Sequence, residues 1–285
     1  LPIYKPAVME RCRILGGSGG IRVDGNANLV VMDTLVENTL GRPLQVTSQG
    51  FVGILTSVFQ KSQSDGIALF GTNTTLIENT VIRANYGNGI RVIQSVPIIR
   101  CCLIEKNQVG IELQRADGAD VEHCTIVANR SSGIYVREAQ PNFRSNIIAY
   151  NEQFGIYEDK PAPIIETNDD GTPYVITSPT HTGALALNLF WQNTPAQYFD
   201  EGDSENGVFD EEGDINFAVT NAIDPVDNRV ESPVFINREA GNYRLTAASP
   251  AIDWSPETTA FSTDLDGNTR LIDVDDVGEV GTNAV

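Results

Sequence analysis

A short phrase with the same polarity pattern recurs along the chain. It reads Gly20-Ile21-Arg22-Val23, Gly66-Ile67-Ala68-Leu69, Gly89-Ile90-Arg91-Val92, Gly110-Ile111-Glu112-Leu113, Gly133-Ile134-Tyr135-Val136 and Gly155-Ile156-Tyr157-Glu158. The glycines are separated by 46, 23, 21, 23 and 22 residues, and Pro43-Leu44-Gln45-Val46 divides the first interval into two steps. Two further columns keep the period: Met9, Val31, Ile54, Ile77, Ile99, Val121, Phe143, and Ile14, Val36, Phe59, Ile82, Ile104, Ile126, Ile148. Within each phrase apolar residues alternate with variable ones, the period of a strand with one buried face. Three short strands in about 22 residues, punctuated by Gly and Asn, describe one coil of a solenoid.

Helical repeats would place apolar residues three or four apart, and a leucine-rich repeat would need a Leu framework that is missing. A left-handed β-helix built on hexapeptides would repeat at about 18 residues. The pattern therefore predicts an all-β, right-handed parallel β-helix with three short strands per coil, the handedness that parallel crossovers favour. One coil cannot bury its own inward side chains, but stacked coils can, with like residues above like. Cys12, Thr34, Ser57, Thr80, Cys102, Cys124 and Asn146 form one such column, expected to point inward. Asn85, Asn107, Asn129 and Asn151 form another, suited to bends because Asn tolerates the left-handed conformation and its amide can bond the next coil. Cys102 and Cys124 read as small core residues on adjacent coils. A disulfide between them stays open, and no adjacent base supports a catalytic thiol.

The phrase Asn146-Ile147-Ile148-Ala149-Tyr150-Asn151 ahead of Gly155-Ile156 resembles the repeat of pectin-lyase-like β-helix proteins, and Asn188-Leu189-Phe190-Trp191-Gln192-Asn193 carries it again. Ser232-Pro233-Val234-Phe235, Asn242-Tyr243-Arg244-Leu245, Ser249-Pro250-Ala251-Ile252-Asp253, Asp264-Leu265-Asp266-Gly267-Asn268 and Asp276-Val277-Gly278-Glu279 resemble the C-terminal end of many secreted bacterial β-helix proteins. The resemblance covers roughly residues 7–158 and 188–279. It implies the fold and an extracellular or cell-surface location, and leaves activity open because one fold hosts many functions. The organisation expected is regular coils over 1–158, further coils interrupted by acidic loops over 159–231, and a closing segment of the same domain over 232–285. Turn residues Pro161, Pro163, Asp169-Asp170-Gly171 and Pro173 mark Asp159–Leu187 as a loop or small hairpin thrown out of one coil. A second excursion is expected over Tyr198–Asp227. Beside the inward isoleucines, Leu35, Val58, Val81, Leu103 and Ile147 form an apolar outward stripe, for which a C-terminal cover carrying Trp254, Phe261 and Leu271, or a partner protein, is expected. The first strand is expected at Ala7-Val8-Met9. That early start, without Met or signal peptide, suggests a trimmed chain or a coil end covered by another chain, in end-to-end or lateral contact.

Net charge is −19, with 38 acidic against 19 basic residues, which argues against nucleic acid as partner. No apolar run approaches a membrane span. The acidity reads either as solubility or as bound Ca²⁺. Asp264, Asp266 and Asn268 are the metal candidates, although Gly267 falls two places early for an EF-hand. The outward face of the Gly-Ile strand reads Arg22, Gln45, Ala68, Arg91, Glu112, Tyr135, Tyr157, followed one position on by Asp24, Thr47, Phe70, Ile93, Gln114, Arg137, Asp159. Tyr135, Tyr157 and Arg91 are candidate carbohydrate contacts, the rings stacking on sugars and the guanidinium pairing with uronates. The family resemblance implies polysaccharide lyases, hydrolases or epimerases among the alternatives, a lyase using Ca²⁺ and an Arg or Lys base. Arg91, Glu112 and Arg137 are the catalytic candidates on that reading. His123 and His181 belong to no triad or metal pair. A polysaccharide-contacting scaffold or adhesin, a Ca²⁺-assisted lyase, and a subunit of a surface assembly remain open, the first being favoured.

Overall fold

The computed structural model describes residues 5–71, 75–159, 164–167, 172–176, 183–201, 207–218, 225–252, 254 and 265–266. They form three nine-stranded sheets wound as one solenoid. The first sheet runs from Ala7–Glu10 to Pro225–Val226, and the second from Arg13–Leu15 to Arg229–Val230. The third runs from Ile21–Gly25 to Tyr198–Asp200, closed by an antiparallel strand Val208–Phe209. All other pairings within these sheets are parallel and in register, as in Ile90 on Ile111 and Val92 on Leu113, so the repeat read from the sequence is the stacking observed.

The predicted columns are the core. Val31, Ile54, Ile77, Ile99, Val121 and Phe143 are fully buried, as are Val36, Phe59, Ile82, Ile104, Ile126 and Ile148. Each contributes about 1.5–3 kcal/mol relative to exposure. Met9 and Ile14, in the first coil, have neighbours on one side and are only partly buried. The third-sheet column changes chemistry at its end, where the inward Glu158 and Asp200 occupy adjacent rungs and are both buried.

The bends explain the polar columns. Arg11, Asp33, Thr56, Asn79, Cys101, His123, Ser145, Leu187 and Asp227 all have positive φ, and each directly precedes a member of the inward column between the first and second sheets. Lys61, Ala84, Lys106, Ala128, Tyr150 and Gln192 do the same before Ser62 and the asparagines of the next bend. A left-handed residue without glycine costs about 1–2 kcal/mol. The inward side chain that follows offsets it by bonding the next coil. The Oδ1 of Asn129 accepts from the backbone N–H of Asn107 at 3.0 Å and from its amide at 3.3 Å, while the amide of Asn129 donates to the carbonyl of Ile104 at 3.3 Å and to Asn151 at 2.9 Å. The column continues across the excursion to Asn193, where Gln197 Oε1 accepts at 2.8 Å in place of a further asparagine. The other column runs Asn146, Asn188, Asn228 and ends on Asn216 Oδ1, 3.0 Å from the Asn228 amide. The phrase glycine is required by the same packing: a Cβ on Gly89 would lie 2.6 Å from the Gly110 carbonyl and 2.8 Å from the Asn107 amide.

Cys102 and Cys124 are buried free thiols on adjacent coils, and burial pushes the Cys124 thiol well above its usual range. The first excursion contains the expected hairpin, Ile164–Thr167 against Pro173–Ile176. The second departs from a simple loop. It begins with a solenoid strand, Tyr198–Asp200, and carries a helix, Glu212–Ala218, whose Ile215 is fully buried against the end of the core. The apolar stripe is covered over part of its length by the C-terminal segment, as expected, through residues other than those expected. Phe235 and Tyr243, from the antiparallel hairpin Phe235–Asn237 and Asn242–Leu245, pack with Leu103, Val127, Ile147, Ala149, Tyr150 and Trp191. Trp254 receives on its ring face, at 4.6 Å, the guanidinium of Arg229, which continues the same outward column after Ile147 and Leu189, and Phe261 and Leu271 lie outside the described residues.

Replacing Asn129 by Ala strands two donors on Asn107, at about 1–3 kcal/mol each. Urea unfolding is expected to show a loss of about 3 kcal/mol with unchanged m-value. Asn142→Ala, on the outer face, should lose under about 0.5 kcal/mol.

Candidate functional site

The outer face of the third sheet gathers the predicted site residues. Register places Arg91 beside Glu112, Glu112 beside Tyr135, and Tyr135 beside Tyr157. Because strand residues alternate, all four project away from the core, and each is half-buried by its neighbours along the solenoid axis. Arg137 and Asp159 occupy the next outward column.

The tyrosines stack on one another. The rings of Tyr135 and Tyr157 are 5.4 Å apart and within 5° of parallel, and Phe199 continues the stack 5.2 Å from Tyr157. Phe154, from the preceding bend, stacks on Phe199 at 4.8 Å. The faces of Tyr157 are therefore turned toward other rings.

Each phenol reaches a carboxylate further along the solenoid. The Tyr135 hydroxyl donates to Asp159, and the Tyr157 hydroxyl donates to Glu201 at 3.1 Å. Burial, reinforced by the carboxylate acceptor, pushes both phenols up, Tyr157 to about 12. Asp159 also lies 3.4 Å from Arg137 Nε. Glu112 receives the Asn88 amide and lies 3.2 Å from Arg91 Nε, a charge contact whose angle makes no hydrogen bond. Burial raises the Glu112 carboxyl above its usual range, against the opposing pull of Arg91, and the charge of Asp65 adds to the rise. Asp65 in turn accepts from Arg42 Nε at 3.1 Å and from the Asn88 backbone N–H at 3.1 Å.

This arrangement bears directly on chemistry. An arginine acting as a base must give up a proton, and a neighbouring carboxylate stabilises the charged guanidinium instead. Arg91 and Arg137 both have such a neighbour. Of the metal candidates, Asp266 is held by Arg244, with both contacts at 2.6 Å, and Asp264 and Asn268 lie outside the described residues. No group of three His, Cys, Asp or Glu suited to a metal occurs among the described residues. His123 sits at a bend with φ 54°, and His181 lies outside the described residues.

Residues 44–169 match the family described as the right handed beta helix region. The chain is a right-handed parallel β-helix. No curated protein matches it. Among solved structures, the β-helix is similar to a single-substitution variant of the periplasmic alginate epimerase AlgG, with 16% identity, a TM-score of 0.49, and 62% of this chain and 42% of that one covered. A double-substitution variant of the same epimerase gives 14% identity and a TM-score of 0.48 over 65% of this chain and 44% of the other. The β-helix thus spans less than half the length of those structures. Sequence reasoning missed Phe154, Phe199 and Glu201 on this face. Phe199 pairs with Tyr157 after 42 residues rather than 22, because the excursion intervenes. The Asn151-to-Asn193 step, also 42 residues, carried the signal that would have found it.

The raised phenol makes a pH prediction. The folded β-helix binds the Tyr157 proton more tightly than an ordinary phenol of pKa 10.0, so this stabilisation is intact below pH 10.0 and lost as pH rises through about 12. Spectrophotometric titration should show tyrosine ionisation persisting to about 12, and Tyr157→Phe should reduce that late step.

Proposed function

We propose that this β-helix is an extracellular or cell-surface module that contacts carbohydrate through the outer face of its third sheet, as a binding scaffold rather than a catalyst. The observation that carries the reading is the aromatic stack Tyr135, Tyr157, Phe199, bordered by Arg137, Asp159 and Glu201 on a rigid parallel sheet. Aromatic edges contribute apolar contact at little entropy cost, and planar carboxylates, amides and guanidinium groups suit sugar hydroxyls. The coils hold these groups at the spacing of the strands, so the face is organised before a ligand arrives.

A Ca²⁺-assisted lyase is the alternative chemistry, and the carboxylates beside Arg91 and Arg137 oppose it. Assembly through the coil end at the C-terminal side would have to displace the helix Glu212–Ala218, whose Ile215 covers the core there. Among the described residues no helix is long and apolar enough to cross a membrane.

The reading is tested by titrating the full chain against an immobilised panel of plant, algal and bacterial glycans. Binding to at least one glycan is expected. Tyr135→Ala should weaken it about tenfold, equivalent to roughly 1.4 kcal/mol, while Tyr86→Ala, on a different exposed bend, should not. Equal loss in both variants, or no binding across the panel, would contradict the assignment of this face.

A further inference from the structure

Five arginines on or beside the third-sheet face each have a carboxylate at close range: Arg22 and Asp24 at 2.7 Å, Arg42 and Asp65 at 3.1 Å, Arg91 and Glu112 at 3.2 Å, Arg115 and Glu138 at 2.5 Å, Arg137 and Asp159 at 3.4 Å. In four of these pairs the acid stands 21 to 23 residues beyond the arginine, on the next coil. The register that stacks the core therefore also fixes the pairs, and the face meets a ligand with its positive charge already matched.

That pattern has a consequence for ligand charge. A uronate or sulfate group seeking Arg91 or Arg137 must compete with a carboxylate supplied at intramolecular concentration. If it succeeds, it leaves that carboxylate without its cation on a chain whose net charge is −19. Long-range repulsion from the same net charge slows the encounter. The groups still able to bond are of another kind. An ionised carboxylate has about four acceptor sites, of which each pairing here uses one or two. Together with the Asn88 and Gln114 amides, the phenol oxygens and the ring edges, these suit hydroxyl groups and C–H surfaces. Resting on the carbohydrate-contact reading, we infer that the ligand of this face is an uncharged glycan, and that its ion pairs select against uronate-rich or sulfated chains.

The test is calorimetric titration of the full chain with two sets of oligosaccharides matched in length: neutral glucans, mannans and xylans, and polyuronates. At least one neutral set should bind, with affinity changing less than about twofold between 0.05 M and 0.5 M salt, because no net charge is exchanged. Polyuronates should bind at least about tenfold more weakly. Asp159→Asn keeps an acceptor for the Tyr135 hydroxyl but releases Arg137, and should improve polyuronate binding about fivefold at low salt, with the gain lost at high salt. Polyuronates binding more tightly than every neutral glycan, with salt weakening them, would overturn the inference and leave the carbohydrate reading standing. Absence of binding by both sets would overturn that reading and this inference with it.

Discussion

Everything in this structure depends on one coil lying in register on the next. A single coil has no core and leaves its inward side chains half exposed, as Met9 and Ile14 show at the first rung. Stacking buries them, and the polar columns at the bends then set the register. Each asparagine gives its amide to the carbonyl column and takes the N–H of the coil before it, so a slip of one residue would strand several buried donors at once. Residues with positive φ sit at those bends because the bonds that follow them offset their strain. The arrangement is a chain of local exchanges, repeated with period, rather than one large nucleus.

The same repetition builds the surface. Because side chains stack vertically, an outward tyrosine is placed on an outward tyrosine, and an arginine near the acid of the next coil. The aromatic stack and the ion pairs of the third sheet are thus consequences of the core's register. The phenols that donate to carboxylates, Tyr135 and Tyr157, hold their protons well into the alkaline range.

Much of this was legible in the residues. The Gly-Ile phrase and the two apolar columns predicted the three sheets and the inward residues, and the asparagine column predicted the bend ladders. The fixed period also placed Arg91, Glu112, Tyr135 and Tyr157 on one face. What escaped were the places where the period breaks. The 42-residue step over the excursion hid Phe199 and Glu201 behind Tyr157. The helix with Ile215 was unexpected because its seven residues begin within an acidic run and are too few for an apolar periodicity. The cover on the second sheet also uses Phe235 and Tyr243, which the apolar pattern did not single out; their antiparallel hairpin satisfies its own backbone while presenting two rings to the stripe. Ion pairing was the other silent feature. The period stacks Arg91 on Glu112 and Arg137 on Asp159, but whether each pair closes depends on the side-chain rotamers.

The central claim is that the third-sheet face is the working surface of the β-helix. Hydrogen–deuterium exchange on the full chain, with and without a saturating glycan, tests it most directly. The account predicts added protection confined to the backbone around Phe154–Asp159, Ile134–Arg137 and Tyr198–Glu201. Protection falling on the first or second sheet, with those segments unchanged, would contradict it.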